Sequence, residues 1–198
     1  MNYLAHAYLS FNDPELLVGN MISDFVKGKK QFDYPKGIQG GIRLHRAIDA
    51  FTDAHAATRE IKEFFRPAYR LYAGAFADVV YDYFLANDTE EFATSQDLFQ
   101  FTQGTYSSLK KQCEYFPAPF ARMFPYMHTQ DWLYNYRLDE GMHKSFGGLR
   151  HRAAYITEVE TAYNIFLANK KSIRAGYNVF MPEIKKFAAD KWEEIKPK

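Results

Sequence analysis

The sequence predicts an all-α fold, and three observations carry that prediction. Apolar residues recur at i, i+3 and i+4 along most of the chain. The strict alternation of a half-buried strand is scarce. Helix-start and helix-stop residues punctuate the chain at helical spacing, such as Asp13-Pro14 and Gly147-Gly148.

The elements follow in order from that spacing. Asp13 is placed to cap a helix with Pro14 at its first position, ending before Gly28. A long helix is expected from Gly37 to Phe65. Pro67 suits the first turn of the next, which runs through Leu85. Further helices are expected over Asp88 to Tyr115, Pro119 to Met127, Trp132 to Phe146, Arg150 to Ala168 and Pro182 to Lys196. Lys170 to Phe180 fits no single reading, and Gly147-Gly148 marks a stop. The KGKKQFDYPKG segment (Lys27 to Gly37) and FPAPF (Phe116 to Phe120) read as inter-helix loops. With 198 residues and no repeat, low-complexity tract or linker, a single domain is expected.

Composition narrows the function classes. A net charge of +1 argues against broad nucleic-acid binding. No stretch of 18 apolar residues exists to span a membrane, and the N-terminus lacks the basic start of a signal peptide. The single Cys113 excludes an internal disulfide or a cysteine-built metal site, in keeping with a cytoplasmic location. The 18% aromatic share, with 18 Phe and 15 Tyr, predicts an aromatic-rich core or groove.

Four segments place chemistry-bearing residues on helical faces. In GIRLHRAIDAFTDAH, at about 100° per residue, Asp49 lies roughly 40° from His45, Asp53 roughly 80°, and Thr52 about 20° to the other side. This stripe of imidazole and carboxylates suits a divalent metal, with only Arg46 nearby as an ion-pair partner. In RLYAGAFADVVYDYFLA, Asp78 and Asp82 interrupt a core-facing stripe. Such acids require a cation or partners, with arginines such as Arg43 or Arg46 as the alternative to a metal. Asp24 interrupts the apolar line of LLVGNMISDFVKG, and His6 sits among apolar neighbours in YLAHAYL. Zinc, manganese or iron would accept such nitrogen and oxygen ligands. No GxSxG, HExxH, GxGxxG or Walker spacing is present.

Read in order, MNYLAHAYLS, LLVGNMISDFVKG, GIRLHRAIDAFTDAH and RLYAGAFADVVYDYFLA resemble the bacterial acyl carrier protein phosphodiesterase family. QDWLYNYRLDEGM and GLRHR extend the likeness into the C-terminal half. The resemblance implies a helical fold related to the HD-type metal phosphohydrolases, cytoplasmic location, and hydrolysis of holo-acyl carrier protein to its apo form and 4′-phosphopantetheine. It also implies a divalent metal, with manganese favoured. The motif positions carried over are His6, Asp24, His45, Asp49, Asp53, His55, Asp78 and Asp82. Tyr83 departs from the family's DxxxDH block, which has histidine there. On this basis His6, Asp24, His45, Asp78 and Asp82 are the expected metal ligands. Asp49, Asp53 and His55 are expected to move protons, and Arg46 to clamp a phosphate oxygen. Lys27, Lys29 and Lys30 are placed to meet an acidic carrier, with no nucleic acid or membrane as partner. The alternatives are a phosphohydrolase of a nucleotide or other small phosphoester, and a non-catalytic helical binding module.

Overall fold

The computed structural model describes residues 1–152 and 156–196, without the side chains of 151 and 152. Every α or β element among the described residues is helical. The helices are α1 (Tyr3–Tyr8), α2 (Pro14–Ile22), α3 (Lys36–Ala54), α4 (Ala56–Tyr69), α5 (Ala73–Ala86), α6 (Ser95–Lys110), α7 (Ala118–Thr129), α8 (Trp132–Asn135), α9 (Asp139–Arg152) and α10 (Glu160–Ile195). The expected Arg150–Ala168 helix runs across 153–155, outside the described residues, as do the side chains of the HR pair in GLRHR.

Asp13 caps α2 as expected, its carboxylate accepting from Leu16 N at 2.8 Å with Pro14 at the first position. The expected Gly37–Phe65 helix is instead two, because His55 adopts an extended conformation (ψ 138°) between α3 and α4. Pro67 lies inside α4 rather than opening the next helix, and α4 stops at Tyr69. A proline weakens the turn before it, and Arg70 then takes a positive φ of 47° that turns the chain into α5. The start expected at Asp88 falls instead at Thr94, where Thr94 and Asp97 form a reciprocal capping box. Gly147 and Gly148 lie within α9 and do not end it. The segment Lys170 to Phe180 and Pro182 both fall inside α10, which runs for 36 residues.

That long helix packs along α3, α4, α5 and α9, so it backs the elements carrying the site. Aromatic rings fill the interior. Phe65, Phe76 and Phe146 meet at centroid distances of 5.1–6.3 Å, and Tyr81 stacks on Phe180 at 4.3 Å. Three of the most deeply buried tyrosine hydroxyls find partners: Tyr81 with Thr58, Tyr177 donating to Asp88, and Tyr106 accepting from Leu133 N.

The most intimate helix pair is α2 with α3. Their backbones touch at two glycines: a Cβ on Gly19 would lie 2.1 Å from Ile38 O, and one on Gly41 would lie 2.3 Å from Leu16 O. Only glycine permits that approach, and neither obstacle is a movable side chain. Gly19→Ala is therefore expected to destabilise the protein by about 3 kcal/mol through overpacking, read as an earlier midpoint in urea unfolding. An unchanged midpoint would mean that the helices can separate freely.

Candidate metal centre

The glycine contact brings Asn20 of α2 beside His45 of α3. His45 Nδ1 lies 2.7 Å from the Asn20 carbonyl oxygen, and His6 Nδ1 of α1 lies 2.8 Å from Asn20 Oδ1. The orientation of that amide is fixed by its nitrogen, which donates to His6 O at 2.9 Å and to Ser10 Oγ at 3.1 Å. Both Asn20 oxygens are acceptors, so both imidazoles must donate through Nδ1, leaving their Nε2 atoms to face inward. The two rings stack at 4.0 Å.

Asp49, one turn after His45, closes the cluster. Its Oδ1 lies 3.2 Å from His6 Nε2 and its Oδ2 lies 3.1 Å from His45 Nε2. Ligand atoms of His6, His45 and Asp49 all fall within 4.8 Å of one another, so the three could hold a metal ion. Asp24 joins from the α2 end, with Oδ1 3.3 Å from His45 Nε2.

The electrostatics of these groups fit a cation. Burial drives the His6 pKa down to about 4, helped by the neighbouring His45, so His6 is neutral at pH 7. Burial also opposes charge on His45, but hydrogen bonds to Asp24 and Asp49 outweigh it and raise its pKa to about 9. Burial likewise opposes ionisation of Asp49, yet hydrogen bonding to His45 and the nearby Met1 amine hold its carboxyl far below the usual range. With its proton on Nδ1, His6 presents a lone pair at Nε2, and this buried atom has no hydrogen-bond partner. Two acceptors, His6 Nε2 and Asp49 Oδ1, thus face each other at 3.2 Å with no hydrogen between them. A positive ion resolves that repulsion, and the Nδ1 hydrogen bonds to Asn20 supply the orienting contacts that metal-bound imidazoles use.

The remaining expected site residues fall elsewhere. Asp82 is buried and accepts from Leu4 N at 2.7 Å, Ala5 N at 3.2 Å and Asn2 N at 3.3 Å. Its carboxylate caps the start of α1, away from the His6–His45–Asp49 group. Asp78 takes the Met1 α-amine at 3.0 Å, and burial raises its pKa despite that opposing charge. The same amine reaches Asp49 Oδ1 at 3.5 Å. Among the described residues neither Asp78 nor Asp82 meets an arginine: Arg43 donates to Ile195 O, and Arg46 donates to Val26 O and Gln31 Oε1. Arg46 is therefore engaged in holding the loop before α3 rather than aimed as a phosphate clamp. Asp53 is exposed and pairs with Lys62 at 2.7 Å. His55 caps α4 by accepting from Ala57 N and meets Glu183 at 3.2 Å, so its role is at the helix junction. Lys27, Lys29 and Lys30 are exposed on the turn after Asp24. The Tyr83 hydroxyl lies between Asp139 Oδ1 at 2.9 Å and Lys170 Nζ at 2.6 Å.

Two participants leave little trace in the sequence. One is Asn20, whose only signal is a polar residue inside the apolar run LLVGNMI. The other is the Met1 amine. A groove of about 290 Å³ opens beside the cluster, lined by Met1, Asn2, Asp24, Tyr72, Asp78 and Leu149 among others. No described helix is long and apolar enough to cross a membrane.

Comparison with known proteins identifies the family. A sequence model described as acyl carrier protein phosphodiesterase matches residues 1–184. A protein of that name from Klebsiella pneumoniae subsp. pneumoniae is 28% identical over 191 residues, covering 96% of this chain and 99% of its own. One from Yersinia pestis is 33% identical over 136 residues, covering 69% and 70%. One from Photorhabdus laumondii is 30% identical over 136 residues, covering 69% of each. No solved structure matches.

Proposed function

The chain belongs to the acyl carrier protein phosphodiesterase family, and from that premise we propose that it hydrolyses the phosphodiester joining 4′-phosphopantetheine to a serine of holo-acyl carrier protein, at the His6–His45–Asp49 cluster. The observation that carries the reading is the buried, unpartnered His6 Nε2 opposite Asp49. His6 and His45, through Nε2, and Asp49, through its carboxylate, would hold a divalent ion. Manganese is the favoured occupant, with zinc or iron also suited to nitrogen and oxygen ligands. Such an ion supplies a polarised phosphoryl oxygen and a water acidified toward neutrality.

The chain's own groups supply the proton traffic. Hydrolysis adds a water oxygen to phosphorus, breaks the bond from phosphorus to the serine oxygen, and delivers a proton to that oxygen. His45 holds Asp24 below the usual carboxylate range, so at pH 7 Asp24 is a carboxylate at the groove, able to accept a proton from the attacking water. Asp78, whose pKa burial raises, lines the same groove and is the group we assign to protonate the departing serine. These two replace Asp53 and His55 in the proton-transfer roles.

Lys27, Lys29 and Lys30 follow Asp24 directly and would meet the acidic carrier. In this reading the protein works in the cytoplasm, where fatty acids are built on that carrier. The test is incubation of purified, manganese-loaded protein with holo-carrier, followed by mass spectrometry of the carrier. A mass loss equal to the phosphopantetheine group, abolished by a chelator and restored by manganese, is expected, with KM rising as salt screens the lysines. An unchanged carrier, beside turnover of a small phosphoester from a nucleotide panel, would replace this function with the small-substrate reading.

A further inference from the structure

A second and larger cavity, of about 420 Å³, lies next to the groove and has no part in the chemistry assigned above. Asn2 lines both, and Gly148 of this cavity is followed in α9 by Leu149 of the groove. The two hollows are thus neighbours across the chain start and one helix face. The volume is that of a small-molecule site rather than a packing defect.

Its wall carries side chains that complement an amide, beside Lys144, which pairs with Glu140 at 2.7 Å. Gln130 commits its side-chain oxygen to Trp132 Nε1 at 3.0 Å, which leaves its amide nitrogen to donate. Asn135 commits its side-chain nitrogen to Gln130 O at 2.8 Å, which leaves its oxygen to accept. One donor and one acceptor together complement a peptide-type amide, and the Trp132 and Tyr136 rings line the same hollow.

On the far wall, Gly141, Lys144, Ser145 and Gly148 of α9 line the hollow; Gly141 is demanded by packing, since a Cβ there would lie 1.8 Å from Asn135 O. Gly148 is informative, because a Cβ there would meet no atom of the described residues within 4 Å. Packing among the described residues does not demand glycine at that position, and glycine inside a helix costs about 1 kcal/mol relative to alanine. Room for something outside the protein does account for it.

We infer that this cavity binds the pantetheine arm of the substrate, its amides read by Gln130 and Asn135 and its aliphatic part laid against Trp132, while the phosphate lies in the neighbouring groove. The assignment rests on the proposed phosphodiesterase function, and the test separates the two. Trp132 is one of 2 tryptophans, so Trp192→Phe leaves it as the sole reporter. Titrating pantetheine, which carries no phosphate, into that manganese-loaded protein is expected to change Trp132 fluorescence saturably. Gly148→Leu, whose Cβ would meet no described atom within 4 Å and whose side chain would occupy the hollow, is expected to weaken that binding at least tenfold. The same substitution is expected to lower kcat/KM for holo-carrier at least tenfold more than kcat/KM for bis(4-nitrophenyl) phosphate, a diester without the arm. A flat titration, or equal effects of Gly148→Leu on both substrates, would overturn the inference while leaving the phosphodiesterase activity standing. If holo-carrier is not hydrolysed at all, the proposed function fails, and with it the assignment of the bound pantetheine as substrate arm.

Discussion

Asp49→Ala is expected to strip the metal from the purified protein and to lower turnover of holo-carrier about a thousandfold. That is roughly 4 kcal/mol of lost charge stabilisation. Asp49 is the one carboxylate that meets both imidazole Nε2 atoms, so its removal leaves the His6–His45 pair without an anionic ligand. Metal analysis reads the first effect directly. Melting temperature reads it again: an ion at a hundredfold excess over its Kd stabilises the fold by about 2.7 kcal/mol. For a chain of this length that corresponds to roughly 5–11 °C, absent in Asp49→Ala. Asp78→Asn is expected to keep the metal and the thermal shift while losing turnover, because Asp78 meets the Met1 amine rather than the cluster. The pH dependence has a definite sign. Without metal, His45 holds its proton up to about pH 9. At pH 7 the ion must displace that proton, so affinity should fall about tenfold for each unit by which pH is lowered. Equal metal content in wild type and Asp49→Ala would remove the cluster from the mechanism.

The second large effect concerns Asp82→Ala, expected to destabilise the protein by about 3–5 kcal/mol, with a melting temperature lower by roughly 6–20 °C. The substitution leaves the backbone N–H groups of Asn2, Leu4 and Ala5 without an acceptor, the last two of them buried. A metal ligand at that position would instead show its loss mainly as lost metal. The pH profile gives an independent check. Burial raises the Asp82 pKa from 3.8 to about 7 despite the backbone hydrogen bonds. Between about pH 4 and 7 the unfolded chain ionises this group while the folded one retains its proton, so the unfolded state binds fewer protons. Stability therefore falls as pH rises through that window and is flat, for this group, above it. Comparing urea midpoints from pH 4 to 8 should show that this decline is reduced in Asp82→Ala. An identical profile in both proteins would exclude the burial effect.

What the sequence disclosed and what it hid divide along a physical line. His45 and Asp49 stand four apart on one helix, a relation that local geometry dictates, and their convergence was legible. The Asp13-Pro14 helix start was legible for the same reason. The fates of Asp78 and Asp82 were not, since each is decided by the chain start some 77–80 residues away. Periodicity located both acids on an interior face but carried no information on what faced them. The break at His55 was hidden because an imidazole there does the capping that serine, threonine or aspartate more often performs. Gly147-Gly148 misled because glycine was read as a backbone signal, whereas Gly148 lines a hollow beside the helix.

The capping of α1 by Asp82 also bears on when the site comes into being. A helix of six residues is too short to persist alone in water, and α1 is held in place by a carboxylate from far along the chain. His6 rides on that helix. Its arrival beside His45 must therefore await the docking of α5, whereas α2 and α3, neighbours in sequence, can pair earlier. During refolding from urea, recovery of metal uptake should lag recovery of helical ellipticity. Amide hydrogens of Leu4 and Ala5 should then exchange no faster than the events that undock α5, making protection at the chain's first turn a gauge of an interaction some 80 residues distant.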